Sequence, residues 1–230
     1  MPSRAELEQV QRALTRLSQA AAGDFRAVWD SLRTSDRVLI SRALRDAWVG
    51  IIETYGDMSA TLAADLFEVQ AADLRIRRPK TKVAPGVDAD RATARLGYAI
   101  STPDQLGNAL VILDQLVRQP YRSTIQDSAW ASGAAWARVP SGTKTCAFCL
   151  MLASRGAVYR SQASAGDKRY GKEYHGECDC VPTLVRGVED YPGGYDPDGM
   201  YDAYRQARRD ADTGSTSDIL SVLRKQQGTH

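Results

Sequence analysis

A mainly α-helical N-terminal region, followed by a small irregular α+β C-terminal module pinned by a Cys/His cluster, is the architecture this sequence predicts. Three observations predict it. Apolar residues recur at spacings of three and four through most of residues 4–138, the period of an amphipathic helix. From about residue 139 glycines, prolines and tyrosines become frequent and the long stripes vanish. All four cysteines lie between positions 146 and 180, with His175 among them. The chain divides on these grounds into a helical domain over 1–138 with a basic loop at 75–87, a Cys/His module over 139–190, and a turn-rich tail with short helices over 191–230.

The elements follow in order. Leu7, Val10, Leu14, Leu17 and Ala21 make one apolar stripe over residues 4–22. Gly23-Asp24 reads as a stop and restart, with Asp24 capping a short helix that carries Phe25, Val28, Trp29 and Leu32. Thr34-Ser35-Asp36 is a second capping signal. Leu39, Ala43, Ala47 and Ile51 then form one edge of a helical face that Ile40, Leu44, Trp48 and Ile52 widen. Gly56 breaks or kinks this run, and a further helix carries Leu62, Leu66, Val69 and Leu74. These stripes read as packing between helices.

Residues 75–87, RIRRPKTKVAPGV, break the pattern with Pro79, Pro85 and Gly86. Arg75, Arg77, Arg78, Lys80 and Lys82 concentrate positive charge there. A solvated basic loop is one reading. Contact with nucleic-acid phosphates is the other, because Lys and Arg neutralise a phosphate backbone without reading bases. Helical pattern resumes at 88–100. Thr102-Pro103-Asp104 looks like a helix start with Thr102 as the cap. Leu106, Leu110, Leu113 and Val117 follow, Pro120 interrupts, and 121–138 continues the helix to a close at Pro140-Ser141-Gly142. Beyond it, Val158-Tyr159-Arg160 and Val181–Val185 are short strand candidates, and YPGGYDPDG (191–199) is a turn-rich connector. A last amphipathic helix is expected over about 198–212 and another short one through Ile219, Leu220 and Leu223.

Bulk composition narrows the function. Hydrophobic residues are 43% and charged residues 25% of 230, an ordinary globular mixture. A net charge of only +2 excludes a polybasic, histone-like protein but not a local basic patch. No apolar run reaches the roughly 18–20 residues of a membrane span. The charged, helical N-terminus lacks the apolar core of a secretory signal. The expectation is a soluble protein with no membrane partner, kept in a cytoplasm or built into a particle there.

The chemistry-bearing constellation is Cys146-Ala-Phe-Cys149, then His175-Gly-Glu-Cys178-Asp-Cys180. A Cys-x-x-Cys turn points two thiolates at one ion, and ligands from a distant segment complete a tetrahedron that suits zinc. The second segment offers three ligands where two are needed: His175 with Cys178 or Cys180, or Cys178 with Cys180. A pair of disulfides between the segments is a competing reading, as are buried reduced thiols beside a satisfied histidine. A redox Cys-x-x-Cys lacks its βαβ surroundings. Catalytic signals are weak. His230 is the last residue, so a histidine-dependent hydrolase would have to use His175. Glu173 or Glu177 would be the base of a catalytic zinc site. Gly-x-Ser-x-Gly, His-Glu-x-x-His and phosphate-loop motifs are absent.

WARVPSGTKTCAFCLMLASRGAVYRS (136–161), followed by YHGECDCVPTLV (174–185), resembles the MuF-like minor capsid, or head morphogenesis, proteins of tailed phages of actinobacteria. The shared hallmark is the Cys-x-x-Cys segment after a long helical region, then His-x-x-Cys-x-Cys ahead of a short strand. Members commonly have Arg between the last two cysteines, where this chain has Asp179. The resemblance implies a low-copy protein inside the virion, present in the host cytoplasm during assembly, and the scarcity of histidines in the chain argues against an enzyme. It implies contact with the portal protein and with major capsid or scaffold proteins, and a part in procapsid assembly, genome packaging or delivery. Some relatives carry the label capsid maturation protease, which makes a protease or metal hydrolase one alternative. A sequence-nonspecific double-stranded DNA-binding zinc module is the other.

Overall fold

The computed structural model describes residues 3–32, 37–142, 145–157, 174 and 178–228. Seven helices and one two-stranded sheet form the described chain. Helix α1 spans Arg4–Ser31 and starts on a capping box, in which Ser3 Oγ accepts from Glu6 N and the Glu6 carboxylate accepts from Ser3 N. It runs straight through Gly23. The buried stripe explains this: Leu7, Val10, Leu14, Ser18, Ala21 and Phe25 keep one helical phase across the glycine. Their burial outweighs the roughly 1 kcal/mol that an interior glycine costs. Asp24 is not a cap; its carboxylate accepts from Tyr55 OH at 2.7 Å. The expected cap at 34–36 lies outside the described residues.

Helix α2 spans Arg37–Asp73 and does not break at Gly56. That glycine lets α2 approach α4 closely, because a Cβ there would lie 3.3 Å from Pro120 Cγ. Helix α3 spans Ala89–Ile100, capped by Asp88, and is tied to α2 by Trp48 Nε1 donating to Ala92 O at 2.8 Å. Helix α4 spans Gln105–Ala131 and is capped by Asp104 rather than Thr102. The Asp104 carboxylate accepts from Gly107 N, whereas the Thr102 hydroxyl donates back to Ala99 O. Pro120 lies inside α4 instead of ending it. Ser59 Oγ from α2 donates to the neighbouring Val117 carbonyl at 2.7 Å, supplying a partner at the turn the proline loosens.

The helix expected to continue to residue 138 stops at Ala131. Gly133 takes φ +65°, Gly133 N donates to Trp130 O, and Ala134 N donates to Ala129 O. These two bonds make a Schellman cap. Strand β1, Ala135–Pro140, follows and pairs antiparallel with β2, Cys180–Val185, so that Pro140 faces Cys180. The second strand is where the sequence places it; the candidate at 158–160 lies outside the described residues.

Two apolar cores divide the helical body. Phe25, Trp48, Leu96 and Leu113 centre one. Leu7, Phe67, Tyr121, Trp136 and Leu184 centre the other, which takes residues from α1, α2, α4 and both strands. Gln70 Oε1 on α2 accepts from Leu184 N at 2.9 Å and so covers a backbone donor of β2. Helix α5 is Ala147–Ala153, α6 is Pro197–Asp210 and α7 is Thr216–Gln227. They share a small cluster of Ala147, Ala207, Ile219, Leu220 and Leu223. No helix among the described residues is long and apolar enough to cross a membrane.

Candidate functional site

The four cysteines converge. Cys146, Cys149, Cys178 and Cys180 are buried in one cluster with Tyr174. Local sequence builds each half. Cys146 is the N-cap of α5, and its Sγ accepts from Cys149 N at 3.4 Å, the turn that brings both sulfurs of Cys-x-x-Cys to one side. Cys180 is the first residue of β2, and the strand pairing sets it opposite Pro140 at the end of β1. The sulfurs of Cys149, Cys178 and Cys180 lie within 4.8 Å of one another, with Cys149 Sγ and Cys178 Sγ 3.2 Å apart. No disulfide joins the four residues. His175, the fifth ligand candidate, and Glu173 and Glu177 lie outside the described residues.

Charge in the cluster is uneven. Hydrogen bonds from Cys149 and Cys180 draw the Cys178 thiol well below its ordinary value, against burial, and the Arg122 guanidinium acts in the same direction. Hydrogen bonds to Cys146, Cys178 and Cys180, with burial, push Cys149 up. Three sulfurs converging within tetrahedral S···S reach, with a fourth cysteine beside them, fit a soft divalent ion such as zinc, whose Zn–S bonds are about 2.3 Å.

Side chains without a motif hold this centre, and sequence reasoning missed them. Arg122 and Arg138 are 1% and 0% exposed. Their guanidinium carbons lie 4.0 and 3.8 Å from the Tyr174 ring centroid, a cation–π stack inside the protein. Arg122 Nη2 also donates to Cys178 O at 2.9 Å. Gln126 Nε2 donates to Tyr174 OH at 3.0 Å, and Gln115 donates to the Tyr174 carbonyl. Tyr174 is therefore fixed at both ends and over its ring, one residue before His175. One signal existed: Arg118, Arg122 and Gln126 recur every four residues along α4, and all three are buried.

Asp179 latches the two cysteine segments together. Its carboxylate accepts from Gly142 N at 3.2 Å and from Thr145 Oγ1 at 3.0 Å, and its carbonyl accepts from Ser141 Oγ at 2.7 Å. Burial raises its pKa above the ordinary carboxylate value. Gly142 is required by this approach, since a Cβ there would lie 2.4 Å from Asp179 Oδ2.

The basic residues form a different kind of feature. Arg75, Arg77, Arg78, Lys80 and Lys82 are all exposed, remote in sequence from the cysteines. Their segment is an ordered strap. Lys80 N, Lys82 N and Ala84 N donate to Ser132 Oγ, Ser128 Oγ and Thr124 Oγ1 at 2.8, 2.8 and 2.9 Å. Alternate amides of an extended segment thus meet hydroxyls spaced one turn apart along α4. Arg75 and Arg78 take positive φ of 51° and 54°, a conformation that β-carbons disfavour.

A family model described as VG15 protein matches residues 1–207 of the chain. The Gene 15 protein of Mycobacterium phage D29 is 36% identical over 83 residues, covering 25% of this chain and 30% of the relative. The Gene 15 protein of Mycobacterium phage L5 is 26% identical over 135 residues, covering 44% of this chain and 43% of the relative. The matches thus span less than half the length of either curated relative. No solved structure matches the chain.

Proposed function

The chain belongs to the VG15 protein family, and from that premise we propose that it is a minor capsid, or head morphogenesis, protein of a tailed bacteriophage, held inside the head beside the portal. Its curated relatives are mycobacteriophage proteins, and the chain is a phage-encoded structural or accessory protein. The observation that carries the finer reading is the thiol centre where two strands, a short helix and α4 meet. It is a pin for an irregular module, held in place by the Arg122 and Gln126 contacts to Cys178 and Tyr174 and by the Asp179 latch. The role is structural, with portal, capsid and scaffold proteins as partners. In that role Cys149, Cys178 and Cys180, completed by Cys146 or His175, hold a structural zinc ion. Such an ion contributes on the order of 10 kcal/mol of apparent folding free energy.

The test has two parts. Purified virions are assayed for the protein by mass spectrometry, and phage carrying Cys178→Ser are assayed for particle yield and filled heads. A few copies per virion, and a fall in filled or infectious particles in the mutant, are the expected results. Absence of the protein from washed particles refutes the virion role. About one zinc per chain, lost in the Cys178→Ser protein, is expected from metal analysis of the purified chain; no zinc refutes the metal reading.

A specific observation favours a second property in the same particle. The strap presents five exposed cations from a backbone held against α4. That is the form a sequence-blind contact with packaged double-stranded DNA takes, since phosphate neutralisation needs charge and placement but no base reading.

A further inference from the structure

We propose that Arg122 is the fixed counter-cation of the cysteine centre, a positioning residue whose permanent positive charge lets this buried site hold a divalent ion as an anionic thiolate complex. The inference rests on the structural-zinc reading above and says what else the site requires. A divalent ion bound by three thiolates and one neutral ligand carries one net negative charge, and by four thiolates two. An anion of that kind in a dry interior is costly unless a cation faces it.

Arg122 meets the requirement from the opposite direction. It is 1% exposed, and a buried guanidinium also costs several kcal/mol unless its charge is compensated. Among the described residues no carboxylate pairs with it. Its Nη2 donates to Cys178 O at 2.9 Å, while Nε and Nη1 have no hydrogen-bond partner among the described residues. Its planar face lies on Tyr174, itself a member of the cysteine cluster. Arg118, one turn earlier on the same helix, shows the contrast: it is buried too, but Asp114 accepts from its Nε at 2.6 Å. Arginine suits the post because it does not lose its charge on burial and its fork can stack and donate at once. The anion that Arg122 lacks among carboxylates is the one the thiolate centre would supply.

The experiment measures zinc affinity of the full chain by competition with a chromogenic chelator, for wild type, Arg122→Met and Arg122→Lys. Outer-shell partners of metal ligands typically affect affinity by roughly 10–100-fold. A loss of that size is expected in Arg122→Met, with the circular dichroism of the metal-loaded protein preserved. Arg122→Lys, which keeps the charge but not the fork, is expected to recover most of the affinity. A purely packing role predicts the reverse order, because Met fills the apolar space at least as well as Lys. Equal affinity in wild type and Arg122→Met overturns the inference, as does a Lys variant no better than Met. If Arg122→Met does not fold, Arg122→Gln replaces it in the same comparison with Lys. Wild-type protein that binds no zinc sinks the metal reading itself, whereas zinc-binding wild type with an indifferent Arg122→Met sinks only the counter-cation role.

Discussion

Neutralising the strap tests the DNA reading most directly. The perturbation is Gln at positions 75, 77, 78, 80 and 82, where the five exposed cations stand. Each phosphate neutralised on duplex DNA contributes about −0.9 to the slope of log affinity against log salt, so five contacts give about −4.5. Between about 50 and 200 mM salt, that slope lowers affinity roughly five-hundredfold. The assay is fluorescence anisotropy on a labelled duplex of arbitrary sequence across this range. Wild type is expected to bind in a strongly salt-dependent manner, and the neutralised variant to lose most of the slope. A companion variant, Thr124→Val with Ser128→Ala and Ser132→Ala, removes the three acceptors of the strap's amides and leaves every charge in place. Each bond contributes about 1 kcal/mol to holding the strap, so affinity should fall while the slope stays near wild type. A wild-type slope near zero, or a slope that survives neutralisation, refutes the reasoning.

Two further outcomes follow from the module's geometry. Gly142→Ala puts a Cβ against the Asp179 carboxylate and should destabilise the chain by about 1–3 kcal/mol, in the range of overpacking, read as a shifted denaturant midpoint; Asp179→Asn in the same background should not add a full second penalty, because the latch is already displaced. Asp190 accepts from Arg186 Nε at 3.0 Å, and that hydrogen bond holds its carboxyl below the ordinary value. A depressed folded-state pKa gives stability that is fully present above the unfolded value of about 3.9 and lost as pH falls through the folded one. Melting temperature should therefore drop less between neutral and strongly acid pH in Arg186→Gln than in wild type. An identical pH profile would remove the pair from the account.

Much of the helical body was legible from periodicity. The phase of Leu7, Val10, Leu14 and Ala21 marks the buried face of α1, and the helix resuming at about 88 and the loop at 75–87 stand where local signals put them. Three of the misplaced boundaries share one cause. Gly23, Gly56 and Pro120 are breakers by intrinsic propensity, yet each lies inside a long helix. Propensity is worth about 1 kcal/mol for Gly and about 3 for Pro, less than the burial that holds these helices together. At Gly56 and Pro120 the two breakers even meet, the one making room for the other. Strand β1 was hidden because all six of its residues are buried, so it lacks the alternation that marks a half-exposed strand.

By itself the sequence determined that the chain is mostly helical, that its cysteines gather in one late segment, and that a basic stretch interrupts the helices. Those properties are local, written in spacing and residue type. Only the tertiary structure decided that α4 is the common wall. One part of it receives the strap on Thr124, Ser128 and Ser132; another sends Arg122 to Cys178 and stacks it on Tyr174. No spacing rule foretells such pairings, because a buried charge or an alternate amide selects its partner by distance in the folded chain, and the partners here are separated by 40 to 56 positions in sequence.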